Sequence, residues 1–152
     1  MTDTADTIAQ PLLRLTDRAA AAALRAAGAR WFLGLDPVTQ NDELLARTLT
    51  AVGATVFGHG DAVVGYTLNP DHPGQAVVDT TGTDPAPLAA CLDFLHEYLR
   101  CDTFVALVAV DRDPAALRGF AVVGRLRGHE YRGGTYHDVD IYFRAREGTC
   151  AR

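Results

Sequence analysis

The stretch FVALVAVDRDPAALRGFAVVGRLRGHEYRGGTYHDVDIYFR, Phe104–Arg144, decides how the chain folds. With Thr103 in front, its first part to Val110 is a continuous apolar run with β-branched residues. That pattern predicts a buried central strand. DRDPAALRGF, Asp111–Phe120, then predicts a short capped helix ending in Gly119-Phe120. FAVVGRLRGHEY (Phe120–Tyr131) and TYHDVDIYF (Thr135–Phe143) flank Arg132-Gly133-Gly134. The glycines tolerate positive φ, so the stretch ends as a β-hairpin. In its last strand Val139, Ile141 and Phe143 face one way, and Tyr136, Asp138, Asp140 and Tyr142 the other.

Working back toward the N-terminus, Leu88, Cys91, Leu92, Leu95, Tyr98 and Leu99 recur at three and four residues, which predicts one apolar face of a helix. Asp84 is placed to cap it, and Pro85 suits its first position. ATVFGHGDAVVGYTLNPDHPGQAVVDT, Ala54–Thr80, reads as three strands separated by a tight turn at His59–Asp61 and a longer loop. Asn41 or Asp42 caps a helix carrying Leu44, Leu45, Thr48, Leu49 and Val52 on one face. Leu12–Asp17 predicts a first strand, and Thr16 or Asp17 caps a helix through the alanines to about Gly28. The expected order is β-α-α-β-β-β-α-β-α-β-β.

Composition bounds the chemistry. A chain of 152 residues at 48% hydrophobic and 22% charged is one ordinary globular domain. Residues 11–146 read as that domain, with tails at 1–10 and 147–152. The polar, acidic start MTDTADTIAQ is no signal peptide, and no apolar run reaches the length of a membrane span. Cys91, Cys101 and Cys150 form an odd set without CxxC spacing, which fits a reduced cytoplasm better than a disulfide framework. A net charge of −5 provides no footprint for nucleic acid. All fourteen basic residues are arginine, and the chain has no serine. Schiff-base chemistry, a serine nucleophile and the P-loop lysine are excluded. The five histidines lack metal-ligand spacing, so no metal is expected.

The element order, with Gly119-Phe120 and the hairpin motif Tyr136-His137-Asp138-Val139, resembles the GNAT superfamily of acetyl-CoA-dependent N-acyltransferases over roughly residues 12–144. The resemblance implies an α/β (α+β) fold with a mixed, mainly antiparallel sheet and splayed central strands. It implies acetyl-CoA, or another acyl-CoA, lying where the fourth and fifth strands part. Backbone groups near Val77 and Val78 would then hold the pantetheine and polarise the thioester carbonyl. The pyrophosphate would sit on the turn before the following helix, at Gly82 and Thr83.

That turn, DTTGTDPAP (Asp79–Pro87), departs from the family's loop. Asp79 replaces a Gln or Arg, Asp84 replaces a small residue, and Pro85 removes an amide donor. Each carboxylate 4 Å from a phosphate charge costs about 4 kcal/mol at an effective dielectric of ~20. The family's thiolate-protonating Tyr, four residues before Gly119, is Ala115 here, although Asp113 and Ala116 match the Asn and Ala of that motif.

The candidate catalytic residues are Asp79, Tyr136 and Asp138. Asp79 is either a general base at the strand end or a brace for its turn. Tyr136, Asp138 and Tyr142 either line a substrate pocket, with a tyrosine as acid, or form a solvated strand face. Trp31 and Phe32 either contact the acceptor or plug the core edge. Cys91 reads as an inert core residue and Cys101 as a more accessible one. The expected activity is acyl transfer from acyl-CoA to a small-molecule amine through a degenerate cofactor loop. The alternative is a GNAT-like scaffold that binds another ligand, or performs acid–base chemistry, in the same cleft. The terminal hairpin allows pairing into a homodimer.

Overall fold

The structure, a computed structural model, describes residues 10–38 and 40–147. The expected tails lie outside these residues except for Gln10 and Glu147, and Cys150 lies outside them too. The elements are β1 (Leu13–Arg14), α1 (Asp17–Ala26), α2 (Asp42–Ala51), β2 (Thr55–His59), β3 (Ala62–Leu68), β4 (Gln75–Thr80), α3 (Ala86–Leu99), β5 (Thr103–Ala109), β6 (Ala121–Arg132) and β7 (Thr135–Ala145). The strands form one seven-stranded sheet in the order β1-β2-β3-β4-β5-β7-β6. Its neighbours are antiparallel except β4 and β5, which α3 joins as a crossover. No helix among the described residues is long and apolar enough to cross a membrane.

Alternation along the strands supplies two apolar faces. Val64, Tyr66, Ala76, Val78, Phe104, Ala106 and Val108 pack against Leu88, Cys91, Leu92 and Leu95 of α3. On the other face Val56 and Val63 meet Ala20, Ala21 and Leu24 of α1, Leu45 and Leu49 of α2, and Phe32. The helix starts follow their caps: Thr16 accepts from the Ala19 amide at 3.2 Å and Asn41 from the Leu44 amide at 2.8 Å. Pro85, expected as the first helical residue, is the N-cap of α3 and has no side-chain cap, while Asp84, expected as the cap, stands one residue earlier and accepts from the Ala86 amide at 2.9 Å.

Several expectations are corrected. The helix expected at Asp111–Phe120 is a chain of tight turns, so the element between β5 and β6 drops out of the order. Asp113 accepts from the Ala115 amide at 2.9 Å, and the Leu117 and Phe120 amides reach back three residues to Pro114 and Leu117. Only a few residues separate Pro114 from Gly119, too few to offset the cost of nucleating a helix. The apolar helix faces are narrower than their periodicity implies. Leu44 and Val52 on α2, and Tyr98 and Leu99 on α3, are exposed. Cys101 is buried rather than accessible. Burial pushes the Cys91 thiol up to about 12, which makes it inert.

The terminal hairpin turns on Gly133 and Gly134, at φ 60° and 82°, as its glycines require. Gly65 on β3 is needed for a different reason. A Cβ there would lie 2.8 Å from the Thr55 carbonyl oxygen and 3.1 Å from the Phe32 ring. Gly65→Ala is expected to lower stability by about 1–3 kcal/mol through overpacking. Urea denaturation measures this as a lower midpoint with an unchanged m-value. An unaltered midpoint would mean that Phe32 does not press on this strand.

Candidate active site at the splayed strands

β4 and β5 pair over only three positions, Gln75↔Thr103, Ala76↔Phe104 and Val77↔Val105. Beyond Val77, β4 continues along β3 through Val78↔Tyr66, Asp79↔Gly65 and Thr80↔Val64. β5 instead follows β7, from Ala106↔Tyr142 to Ala109↔Val139. The two strands therefore part, and their facing backbone groups lose each other as partners.

Arg112, in the turn after β5, crosses this gap. Its Nη1 lies 3.2 Å from Asp79 Oδ1, and its Nη2 donates to the Thr80 carbonyl. Ala116 and Leu117 fill more of the wedge and leave a slot of about 10 Å³. Asp79 is the hub of the closure. Its Oδ2 accepts from the Leu33 amide at 3.0 Å and its Oδ1 from the Thr80 amide at 2.8 Å. Burial raises its pKa, while Arg112 and the two amides pull the other way. Asp79 thus ties the α1–α2 link to the end of β4. Thr81 secures the next residue, trading hydrogen bonds with Val63 through its own amide (2.8 Å) and its hydroxyl (2.9 Å).

A cavity opens on each face of the sheet at this point. On the α1–α2 face a pocket of about 360 Å³ is lined by Trp31, Gly82, Asp111, Arg112, Glu130 and Arg132, among others. On the α3 face a second pocket of about 360 Å³ lies among Pro85, Leu88, Ala116, Arg118, Phe120 and Arg144. Gly82 and Arg112 belong to both the first pocket and the slot, and Ala116 to both the slot and the second pocket. The three spaces form a path through the sheet that Arg112 bars.

On the Trp31 side Arg132 lies between two acids. Arg132 Nη2 contacts both Asp111 oxygens, at 2.9 and 2.8 Å, and its Nε lies 3.1 Å from Glu130 Oε1. Burial pushes the Asp111 carboxyl up, but the Arg132 hydrogen bond and charge outweigh this and hold it low. At the start of α3 anion donors are scarce. Pro85 and Pro87 have no N–H, and Asp84 occupies the Ala86 amide.

Among the residues singled out in the sequence, Asp79, Val77, Val78, Gly82 and Trp31 come together around the splay. Val77 is the last residue of β4 paired with β5, while the side chain of Val78 is buried toward α3. Thr83 is exposed on the turn. Phe32 is fully buried among α1, α2 and β3 and plugs the core rather than facing a pocket. Tyr142 packs on the α3-side core, opposite Ala106. Tyr136 is 69% exposed and leans on Tyr131 at the hairpin end, away from the splay. Asp138 accepts from the Gly128 amide at 2.8 Å and so braces the irregular stretch of β6.

Arg112, Glu130 and Arg132 escape a reading of the sequence. The only hint is a lone arginine between two acids at a strand end (Asp111-Arg112-Asp113) and a lone acid amid the arginines of β6. Among the described residues no group of His, Cys, Asp and Glu is placed to hold a metal ion.

No protein-family model matches the sequence, and no curated protein sequence matches it. Solved structures do match. One is a ribosomal L7/L12 alpha-N-protein acetyltransferase in complex with coenzyme A, at 15% identity and TM-score 0.68 over 93% of this chain and 96% of that one. Another is a mutant spermidine N-acetyltransferase from Vibrio cholerae, at 18% identity and TM-score 0.67 over 91% of this chain and 94% of that one. A third is a probable acetyltransferase, at 14% identity and TM-score 0.64 over 88% and 91%. The splay, the crossover helix and this match over nearly the whole chain agree: the chain has the fold of the GNAT acetyltransferases.

Proposed function

We propose that the protein is an acyltransferase that moves an acyl group from acyl-CoA to a small-molecule amine. The observation that carries this reading is the parting of β4 from β5 beyond Val77, with a cavity on each face meeting at the gap. The acyl-CoA arm enters from the α3 face and the amine from the Trp31 face. The amine nitrogen attacks the thioester carbon, the C–S bond breaks, and CoA leaves as the thiolate. Backbone amides near Val77 and Val78 polarise the carbonyl. The proton lost by nitrogen passes to water, because the Asp79 that has released Arg112 is itself protonated. Gly82 and Thr83 offer phosphate their amides, and Arg118 and Arg144 add charge where Pro85 and Pro87 leave the helix start short of donors.

Arg112 must leave the slot before the arm enters, so acetyl-CoA binding should be coupled to protonation of Asp79. A neutral Asp79 neither holds Arg112 nor repels the ligand. Affinity is expected to rise as pH falls through the raised pKa of Asp79, by up to about tenfold per unit. Asp79→Asn should flatten the profile. Calorimetry with acetyl-CoA across pH measures both. No binding at millimolar ligand at any pH would sink the acyl-CoA reading.

A second reading is favoured by specific residues. Asp79 and Asp84 bring negative charge, Pro85 and Pro87 remove donors, and Arg112 already occupies the Thr80 carbonyl. On that reading the scaffold takes a ligand other than CoA in the same cleft. The same titration separates the two.

A further inference from the structure

We propose that Glu130 is the anchor for the ammonium group of the acceptor in the pocket on the α1–α2 face. This rests on the acyl-transfer reading above and deepens it. Glu130 is 1% exposed, and neither carboxylate oxygen has a hydrogen-bond partner. Buried polar groups in native proteins are almost always satisfied, and a buried carboxylate left without donors is costly. It meets Arg132, whose Nε lies 3.1 Å away but makes no hydrogen bond and is itself without an acceptor.

Arg132 has another seat. Its Nη2 grips both oxygens of Asp111, so Arg132 can yield the Glu130 contact and keep its main partner. Arg132 thus serves two carboxylates, Asp111 and Glu130, and Arg30, which also lines the pocket, is exposed to solvent. Arg112 is already matched by Asp79. The same pocket offers Trp31 and Ala27–Ala29 as a wall for an alkyl chain. An ammonium has three donors and no acceptor, which is what two bare carboxylate oxygens lack. The chemical class that fits is a primary alkylammonium, entering past Trp31 and displacing Nε of Arg132.

The test uses 1-butylamine and 1-butanol as probes of the full chain without acetyl-CoA. Binding is followed at the indole resonance of Trp31, the chain's single tryptophan. The wild type is expected to bind butylammonium at least tenfold more tightly than butanol. Glu130→Gln should abolish the preference. Arg132→Met should keep or strengthen it, because the anchor is then uncovered. The inference is overturned if the wild type shows no preference or no binding, or if Glu130→Gln binds like the wild type. It is also overturned if the two variants lose binding alike, since Glu130 would then serve only to seat Arg132. Should Glu130→Gln not fold, the wild type and Arg132→Met still decide. Because acetyl-CoA is omitted, failure here leaves the acyl-CoA reading standing, whereas failure of acetyl-CoA binding beside an intact preference for butylammonium would leave Glu130 an ammonium site and overturn its role as acceptor anchor.

Discussion

Asp79→Ala is expected to lower the unfolding free energy by about 2–4 kcal/mol. Removing one partner of a buried ion pair costs about 3–5 kcal/mol because the other charge is left uncompensated. The Arg112 side chain is 29% exposed, so water recovers part of that loss. The Leu33 amide also loses its acceptor, which costs about 1–3 kcal/mol where water cannot replace it. Asp79→Asn keeps an oxygen for that amide and should lose about half as much as alanine, in proportion to the single interaction it gives up. Urea denaturation of the three proteins provides the comparison. Equal stabilities would show that the link between α1 and α2 is held by other contacts.

The pH dependence follows from the direction of the shift. Burial raises the Asp79 pKa above its ordinary 3.8, so the folded protein takes up this proton before the unfolded chain does. The group's contribution is fully present below 3.8 and is lost as pH rises through the raised folded value. Asparagine does not titrate. The advantage of the wild type over Asp79→Asn should therefore grow as the solution is acidified, and level off above the folded pKa.

Phe32→Ala is expected to cost about 3–5 kcal/mol, the range for truncating a fully buried aromatic ring. Phe32 is 0% exposed and lies against the backbone of Gly65. Its effect extends beyond stability. Phe32 and Leu35 exchange backbone hydrogen bonds at 2.9 Å, and the Leu33 amide between them binds Asp79. Losing the ring should therefore loosen the segment that carries Trp31 into the pocket. Denaturation measures the first effect, and broadening of the Trp31 indole resonance measures the second. A loss below about 1 kcal/mol would mean the cavity collapses without disturbing the link, at the mild end of such substitutions.

Local signals made much of the fold legible. Thr16, Asn41 and Asp84 mark helix starts because their side-chain oxygens satisfy nearby amides, a contact within two or three residues. Gly133-Gly134 marks the hairpin because few other residues tolerate two positive φ values in succession. The apolar run of β5 could only be an interior strand. Where the sequence misled, a local rule met a competing one. Asp113 and Pro114 look like a helix start, yet the segment is too short and its Asp side chain settles into a turn. Tyr98 and Leu99 keep the helical period but extend past the sheet that α3 covers.

The sequence by itself determined the seven strands and three of the four expected helices in their order, because periodicity, caps and turn chemistry act over a few residues. Only the tertiary structure decided the site. Asp79 meets Leu33 and Arg112 across 46 and 33 residues of chain, and nothing in their local patterns anticipates either contact. Glu130 is buried at the end of an irregular stretch of β6, in a pocket it shares with Ala109 and Trp31, although its neighbours in sequence are not apolar. Charge pairing in a cleft depends on distance in space and on exclusion of water. Both are properties of the assembled sheet, set once β4 and β5 have parted.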